Sequence, residues 1–251
     1  MQQIWIKGEN GYILANFHLT KTFSDTCYLL IQGLFEPQCD LNYFCQEFIE
    51  ETRTTPFGCL SFDFEGTGDS YSELATVSFD MFLSNINTII QFLERENIKH
   101  IIAIGRGLGA NLLLKFITNP LIDKIVMVNP VLFSAKTLSI LTNFVARNSY
   151  ENVKLSTNVL TELKEILYMS GVDMSNIEDE IIPKKFFIEM LNNKELFLLN
   201  LKEIIKTHQV YLTEDMSNYY DSSFVSYFSC FDFSNYASRY SLIQDILKLT
   251  M

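Results

Sequence analysis

Strand-like and helix-like periods alternate along the first half of the chain. Ile4-Trp5-Ile6 and Tyr12-Ile13-Leu14-Ala15-Asn16-Phe17 flank Gly8-Glu9-Asn10-Gly11. Asn10-Gly11 predicts a hairpin turn, because both residues tolerate positive φ. Cys27-Tyr28-Leu29-Leu30-Ile31 is wholly apolar and predicts a buried strand ended by Gln32-Gly33. Residues 41–51 carry Phe44, Phe48 and Ile49 at helical spacing, and Cys59-Leu60-Ser61-Phe62 reads as the next strand. Over 77–96 the residues Phe79, Phe82, Ile86, Ile89, Ile90, Phe92 and Leu93 recur at helical intervals. A strand at His100–Ile104, a helix over Ala110–Phe116 and a strand at Lys124–Pro130 continue the rhythm. Such alternation predicts an α/β fold with a mainly parallel sheet and helices on both faces.

Residues 131–206 break this pattern. They are rich in Leu, Ile and helix formers, and no strand-like run of the earlier type occurs in them. The expected organisation is one domain: an α/β core in 1–130, a helical cap insertion in 131–206, and the rest of the core in 207–251. Within that last part, Val210-Tyr211-Leu212-Thr213 and Val225-Ser226-Tyr227-Phe228 are strand candidates, and Tyr240–Leu247 predicts a closing amphipathic helix. The aromatic residues Tyr219, Tyr220, Phe224, Tyr227, Phe228, Phe231 and Phe233 could line a pocket, though core packing explains most of them.

At 251 residues and 48% hydrophobic content, the chain is long enough and apolar enough for one large core. Its net charge of −11 repels nucleic acid and anionic membranes, so neither is an expected partner. The cysteines Cys27, Cys39, Cys45, Cys59 and Cys230 are odd in number and lack zinc-site spacing, and no signal peptide or membrane-spanning run is visible. A reducing, cytoplasmic setting is expected. His18, His100 and His208 are scattered, so no metal is expected. Gly105-x-Gly107-x-Gly109 lacks the G-x-G-x-x-G spacing, so no nucleotide cofactor is expected either.

Gly105-Arg106-Gly107-Leu108-Gly109 follows an apolar strand and opens a helix, which is the context of a nucleophile elbow. With Gln32-Gly33 upstream, Asp63-x-x-Gly66-x-Gly68-x-Ser70 between, and Thr213-Glu214-Asp215 downstream, the chain resembles the α/β-hydrolase superfamily over nearly its whole length. Within it, the similarity is to cap-bearing serine hydrolases of the prolyl-aminopeptidase and monoglyceride-lipase type. The resemblance implies an oxyanion loop at Gly33-Leu34, a second oxyanion donor on the Leu108 amide, and the triad acid at Asp215. It also places glycine, Gly107, at the nucleophile and Phe231 at the histidine. No histidine follows His208, which precedes the strand leading to Asp215 and lies on the wrong side of the sheet. The elbow is similar to that of non-catalytic relatives such as the N-myc downstream-regulated proteins.

Serine attack requires both a hydroxyl and a base, and here both positions are vacated. The expected function is therefore a pseudo-hydrolase that binds a small molecule, acyl group or peptide, or serves as an accessory partner of another protein. Its ligand would meet Gly33, Leu34, Arg106, Gly107, Leu108 and Asp215. Arg106 is expected to be held by a carboxylate or by solvent, and Asp63 and Ser70 to serve the turn and cap the following helix. An alternative is an enzyme of non-serine chemistry, with Asp215 or Asp232 as base in the same pocket. A displaced nucleophile at Ser70 or Cys59 has no histidine in its expected neighbourhood.

Overall fold

A computed structural model describes residues 1–19, 24–33, 38, 43–73, 76–147, 152–154, 181–198, 208–213, 229–231 and 235–250. The strands are β1 (Gln2–Lys7), β2 (Tyr12–His18), β3 (Thr26–Ile31), β4 (Gly58–Phe62), β5 (His100–Arg106), β6 (Ile122–Val128), β7 (Asn152–Lys154), β8 (Ile181–Pro183), β9 (Gln209–Thr213) and β10 (Ser229–Phe231). The α-helices are α1 (Phe44–Thr52), α2 (Phe79–Arg95), α3 (Leu108–Leu113), α4 (Ala135–Arg147), α5 (Lys184–Asn192) and α6 (Tyr236–Thr250). Eight strands form one sheet in the order β1-β2-β4-β3-β5-β6-β9-β10, and β2 alone runs against the others.

The central strands read as apolar runs because both of their faces are covered. Cys27, Leu29 and Ile31 of β3, Ile101 and Ala103 of β5, and Ile125 and Met127 of β6 face the core shared with α2, α3, α4 and α5. Tyr28, Leu30, Ile102, Ile104, Val126 and Val128 point the other way, onto Phe44 and Phe48 of α1 and Leu242, Ile243 and Ile246 of α6. Each such side chain contributes about 1.5–3 kcal/mol on leaving water, so two covered faces stabilise the middle of the sheet most. A two-pronged contact between Arg239 of α6 and Glu47 of α1, at 2.9 and 2.7 Å, fixes the pair of helices on the second face.

Between β6 and β9, α5 packs on the start of α2. Phe186 lies edge-on to Phe79 and Phe82, and Phe133 stacks on Phe197 with ring centroids 4.4 Å apart. Glu189 of α5 accepts from the amides of Phe79 (2.7 Å) and Asp80 (3.3 Å), filling the unsatisfied donors and the positive dipole end of α2. Only part of the 131–206 stretch, expected to be a helical cap, lies within the described residues. It contains β7 and β8, an antiparallel pair of three-residue strands too short to leave a periodic signal. Residues 225–228 lie outside the described residues, and the last strand found is β10 at Ser229–Phe231.

The β1–β2 hairpin forms as expected, but for a different reason. Neither Asn10 nor Gly11 is among the residues with positive φ. Glycine is needed at 11 because a Cβ there would sit 1.9 Å from the Tyr71 carbonyl oxygen, which accepts from the Tyr12 amide. The turn is held from outside by Glu65, which is fully buried. Its carboxylate accepts from the amides of Glu9 (3.1 Å) and Asn10 (2.8 Å) and from Asn85 Nδ2 (2.6 Å), while Asn85 Oδ1 takes the Glu65 amide. Glu65→Gln turns one of these acceptors into a donor facing donors. We expect a loss of about 2–3 kcal/mol, or roughly 4–12 °C in Tm for a domain of this size, measured by thermal denaturation.

Candidate functional site

The carboxyl ends of β3, β5 and β6 converge on one edge of the sheet, where open α/β sheets place ligands. Gly107 sits there between β5 and α3 with φ 51° and ψ −124°, the left-handed region that L side chains rarely adopt. Its amide donates to the Val128 carbonyl at 2.9 Å, tying the turn to β6. Gly105 and Gly109 flank it because the backbones touch. A Cβ on Gly105 would stand 2.5 Å from Ala110 Cα, and one on Gly109 would stand 2.3 Å from the Gln32 carbonyl oxygen. The Gln32-Gly33 turn is thus pressed against the first turn of α3. Leu108 is the first residue of α3, so its amide has no carbonyl one turn earlier to bond.

Of the expected site residues, Gly33, Arg106, Gly107 and Leu108 come together at this edge, on the ends of β3 and β5 and the start of α3. Arg106 is buried, which removes solvent as its partner. Leu34, Asp215 and Asp232 lie outside the described residues, as do Tyr219, Tyr220, Phe224, Tyr227, Phe228 and Phe233. Phe231 closes β10 with its backbone level with Thr213, the last residue of β9. Gln32 is turned away from the edge, with Nε2 against the Cys45 thiol.

The strand register locates all three histidines of the chain. His100 opens β5, seven residues before Gly107 and therefore about 23 Å from it along the strand. His18 pairs with Cys59, which is level with Tyr28 and Ile102, five residues below Gly107. His208 precedes Gln209, which is level with Val126 and Ile104 two strands away. His100 bonds Asp123 at 2.7 Å on the exposed lower rim. Burial raises the Cys59 thiol well above its ordinary range, so it is not a ready nucleophile, and the Cys27 thiol is raised in the same way. Among the described residues, no cluster of His, Cys, Asp and Glu could hold a metal ion, and no helix is long and apolar enough to cross a membrane.

Polar residues that pattern reading passes over frame the edge. Asn111 of α3 donates to the carbonyls of Val131 (2.8 Å) and Leu196 (2.7 Å) and accepts from the Val131 amide (2.8 Å), joining the elbow helix to the segment after β6. Asp63, buried just beyond β4, accepts from the amides of Gln38 and Asp69 and from Gln38 Nε2. Gln38 Oε1 in turn receives Asn16 Nδ2 at 2.8 Å and Ser61 Oγ at 3.1 Å. Ser70 does not cap the next helix. Its hydroxyl donates to the Asp63 carbonyl (2.6 Å) and accepts the Leu14 amide (2.8 Å). The cap of α2 is Ser78, whose Oγ takes the Met81 amide at 3.1 Å, because the helix starts only at Phe79. A lone Asn in an apolar helix and an Asn and Ser on facing strands were the signals available in the sequence.

Two predictions follow from this geometry. Gly107→Ala should lower unfolding free energy by about 1–3 kcal/mol in denaturant melts, since Cβ must enter a disfavoured φ/ψ region. Burial pushes the Asp63 carboxyl above its ordinary pKa of 3.8, outweighing the lowering by its amide donors. The folded state then holds this proton more tightly than the unfolded one. Stability relative to Asp63→Asn should rise as pH falls through the raised pKa, level off below the ordinary value, and disappear as pH rises again. Paired denaturant titrations of the two proteins across acidic pH measure that difference.

No protein-family model matches the chain, and no curated protein matches it. Solved structures do. Est1E from Butyrivibrio proteoclasticus with ferulic acid bound is similar over 98% of this chain and 97% of its own, at 11% identity and a TM-score of 0.64. The soluble variant of monoglyceride lipase from Saccharomyces cerevisiae, in complex with a substrate analogue, matches over 99% and 94% at 9% identity and 0.62. Alpha/beta hydrolase domain-containing protein 10 from mouse matches over 100% and 98% at 15% identity and 0.61. Sheet order, the single reversed strand, helices on both faces and the positive-φ turn between β5 and α3 agree with that likeness: the chain has the α/β-hydrolase fold.

Proposed function

We propose that this chain is a non-catalytic member of the α/β-hydrolase fold, which binds a small molecule, an acyl group or a peptide at the carboxyl edge of its sheet without cleaving it. The observation that carries this is a separation. Gly107 holds the backbone geometry of a nucleophile elbow, while every imidazole of the chain lies at least four residues down the sheet from it. Acyl transfer by the usual route needs a side-chain nucleophile with a base in hydrogen-bond reach. Neither His18, His100 nor His208 is placed to serve that turn.

What the edge retains is suited to recognition. The Leu108 amide opens α3 with no carbonyl inside the helix to bond, and would be a donor for a ligand carbonyl or carboxylate. The Gln32-Gly33 turn lies against Gly109, and Arg106 supplies a fixed positive charge at the end of β5. A ligand oxygen held by such donors would be bound without being attacked. Two structures of similar fold contain ferulic acid and a substrate analogue, so apolar acyl and aromatic acids are the first ligands to try. Service as an accessory to another protein, in a reducing compartment where Cys27, Cys45 and Cys59 stay as thiols, belongs to the same proposal.

Purified protein should give no covalent adduct with a fluorophosphonate probe. It should hydrolyse p-nitrophenyl esters at least about a thousandfold more slowly than the roughly 10 s⁻¹ of an ordinary enzyme. Native mass spectrometry should find a co-purified small molecule or peptide, lost on Arg106→Ala. Stoichiometric probe labelling, or saturable ester turnover, would overturn the proposal.

A further inference from the structure

Asn111 is fully buried on α3, one helical turn after Gly107. Its side chain engages three backbone groups. Oδ1 accepts the Val131 amide at 2.8 Å, and Nδ2 donates to the carbonyls of Val131 (2.8 Å) and Leu196 (2.7 Å). Val131 follows β6, where the chain leaves the sheet, and Leu196 follows α5, on the way back to β9. The two limbs also meet each other. The Phe133 amide donates to the Phe197 carbonyl at 2.9 Å, and their rings stack. One side-chain amide thus holds both ends of the 131–197 segment to the helix that opens at Gly107.

The outgoing limb is tied on the elbow side as well. The Gly107 amide donates to the Val128 carbonyl (2.9 Å), and the Asn129 amide to the Tyr211 carbonyl (2.8 Å). Asn129 has φ 48°, a left-handed backbone that a residue other than glycine keeps where its surroundings fix it. Val128 to Val131 is therefore a short span fastened to the elbow turn at one end and to α3 at the other.

We infer that Asn111 is a positioning residue for the ligand seat: it locks the elbow turn to both limbs of the 131–197 segment, so that the turn keeps its shape while the limbs are held. The inference rests on reading that turn as a binding site, but the clasp can be measured with no ligand present. A ligand seated at the turn and the closed clasp favour each other, and by linkage each strengthens the other by the same factor. The site calls for asparagine. Two carbonyl oxygens need donors and one amide needs an acceptor. A carboxylate of the same shape brings negative charge to both oxygens, and a serine hydroxyl has a single hydrogen to give.

The test compares hydrogen exchange, read by mass spectrometry, in the intact chain and in Asn111→Asp and Asn111→Ser. At neutral pH both variants should exchange at least about tenfold faster in peptides covering 105–113, 131–133 and 194–198, while β1, β2 and β4 keep the rates of the unaltered chain. Asn111→Asp should regain protection as pH falls, after correction for intrinsic rates. Burial against two carbonyls raises its carboxyl above the ordinary range, and protonation returns one donor. Lost packing gives no such titration, because the two side chains have the same shape. The exposed Lys115–Glu195 pair beside the clasp is common to all three proteins, so its own titration cancels. Ferulic acid is the probe for linkage. It should slow exchange at 131–133 and 194–198 in the unaltered chain, a measurement that needs no variant, and bind Asn111→Asp at least about tenfold more weakly. Exchange that rises uniformly across the sheet, or that is unchanged at 105–113, would overturn the proposal. So would equal ferulate affinity in the two proteins, or an Asn111→Asp profile that ignores pH. Ferulic acid that binds neither protein counts against the binding function proposed above, and the exchange profile then decides the clasp by itself.

Discussion

The fold turns on one close approach of backbone to backbone. Between β5 and α3 the chain reverses within a few residues, and the first turn of the helix is driven against the ends of β3 and β5. Two positions there have no room for a side chain, because Ala110 and the Gln32 carbonyl occupy the space. A third has a backbone conformation that costs an L side chain about 1–3 kcal/mol. In an active enzyme such a turn lifts a reactive hydroxyl above the sheet. At Gly107 the turn carries no side chain; Arg106 precedes it at the end of β5 and the Leu108 amide follows it at the start of α3.

Around that edge, buried polar groups carry the long-range order. Asn111, Asp63, Glu65 and Glu189 are each removed from water, and each has backbone amides or carbonyls as partners. The arrangement is economical because a loop cannot satisfy its own backbone groups when it is pressed onto a core. A fixed side chain from another element can. Non-polar packing brings the layers together, while these four residues decide where the connecting segments lie.

How far the sequence revealed this depended on the kind of signal. The sheet and its flanking helices were legible because apolar runs and helical spacing are repeated over many residues; α2 was expected over 77–96 and spans Phe79–Arg95. The elbow was legible because three glycines in five residues are hard to explain otherwise. Single-residue contacts were not. Ser70 looked like a helix cap and is instead a strut between β2 and β4, since no local pattern tells which of two nearby serines meets a helix end. The groups that satisfy Glu65 and Glu189 lie 20 to 110 positions away in the chain, so no local pattern marks either carboxylate as buried. Arg106, expected to be held by a carboxylate or by solvent, is buried at the end of β5.

Distance along the chain has a kinetic consequence for α2. The residue that completes its amino-terminal turn, Glu189, comes 110 positions after Phe79, and the carbonyl of Leu196 reaches Asn111 across 85. Closing contacts of such separation is slow and comes late in folding. A chain emerging from a ribosome can zip β1 to β6 while the start of α2 still exposes bare amides and uncovered phenylalanines. Until α5 arrives, this partly formed sheet is the species most prone to stick to others, and assistance by a chaperone would matter most at that stage.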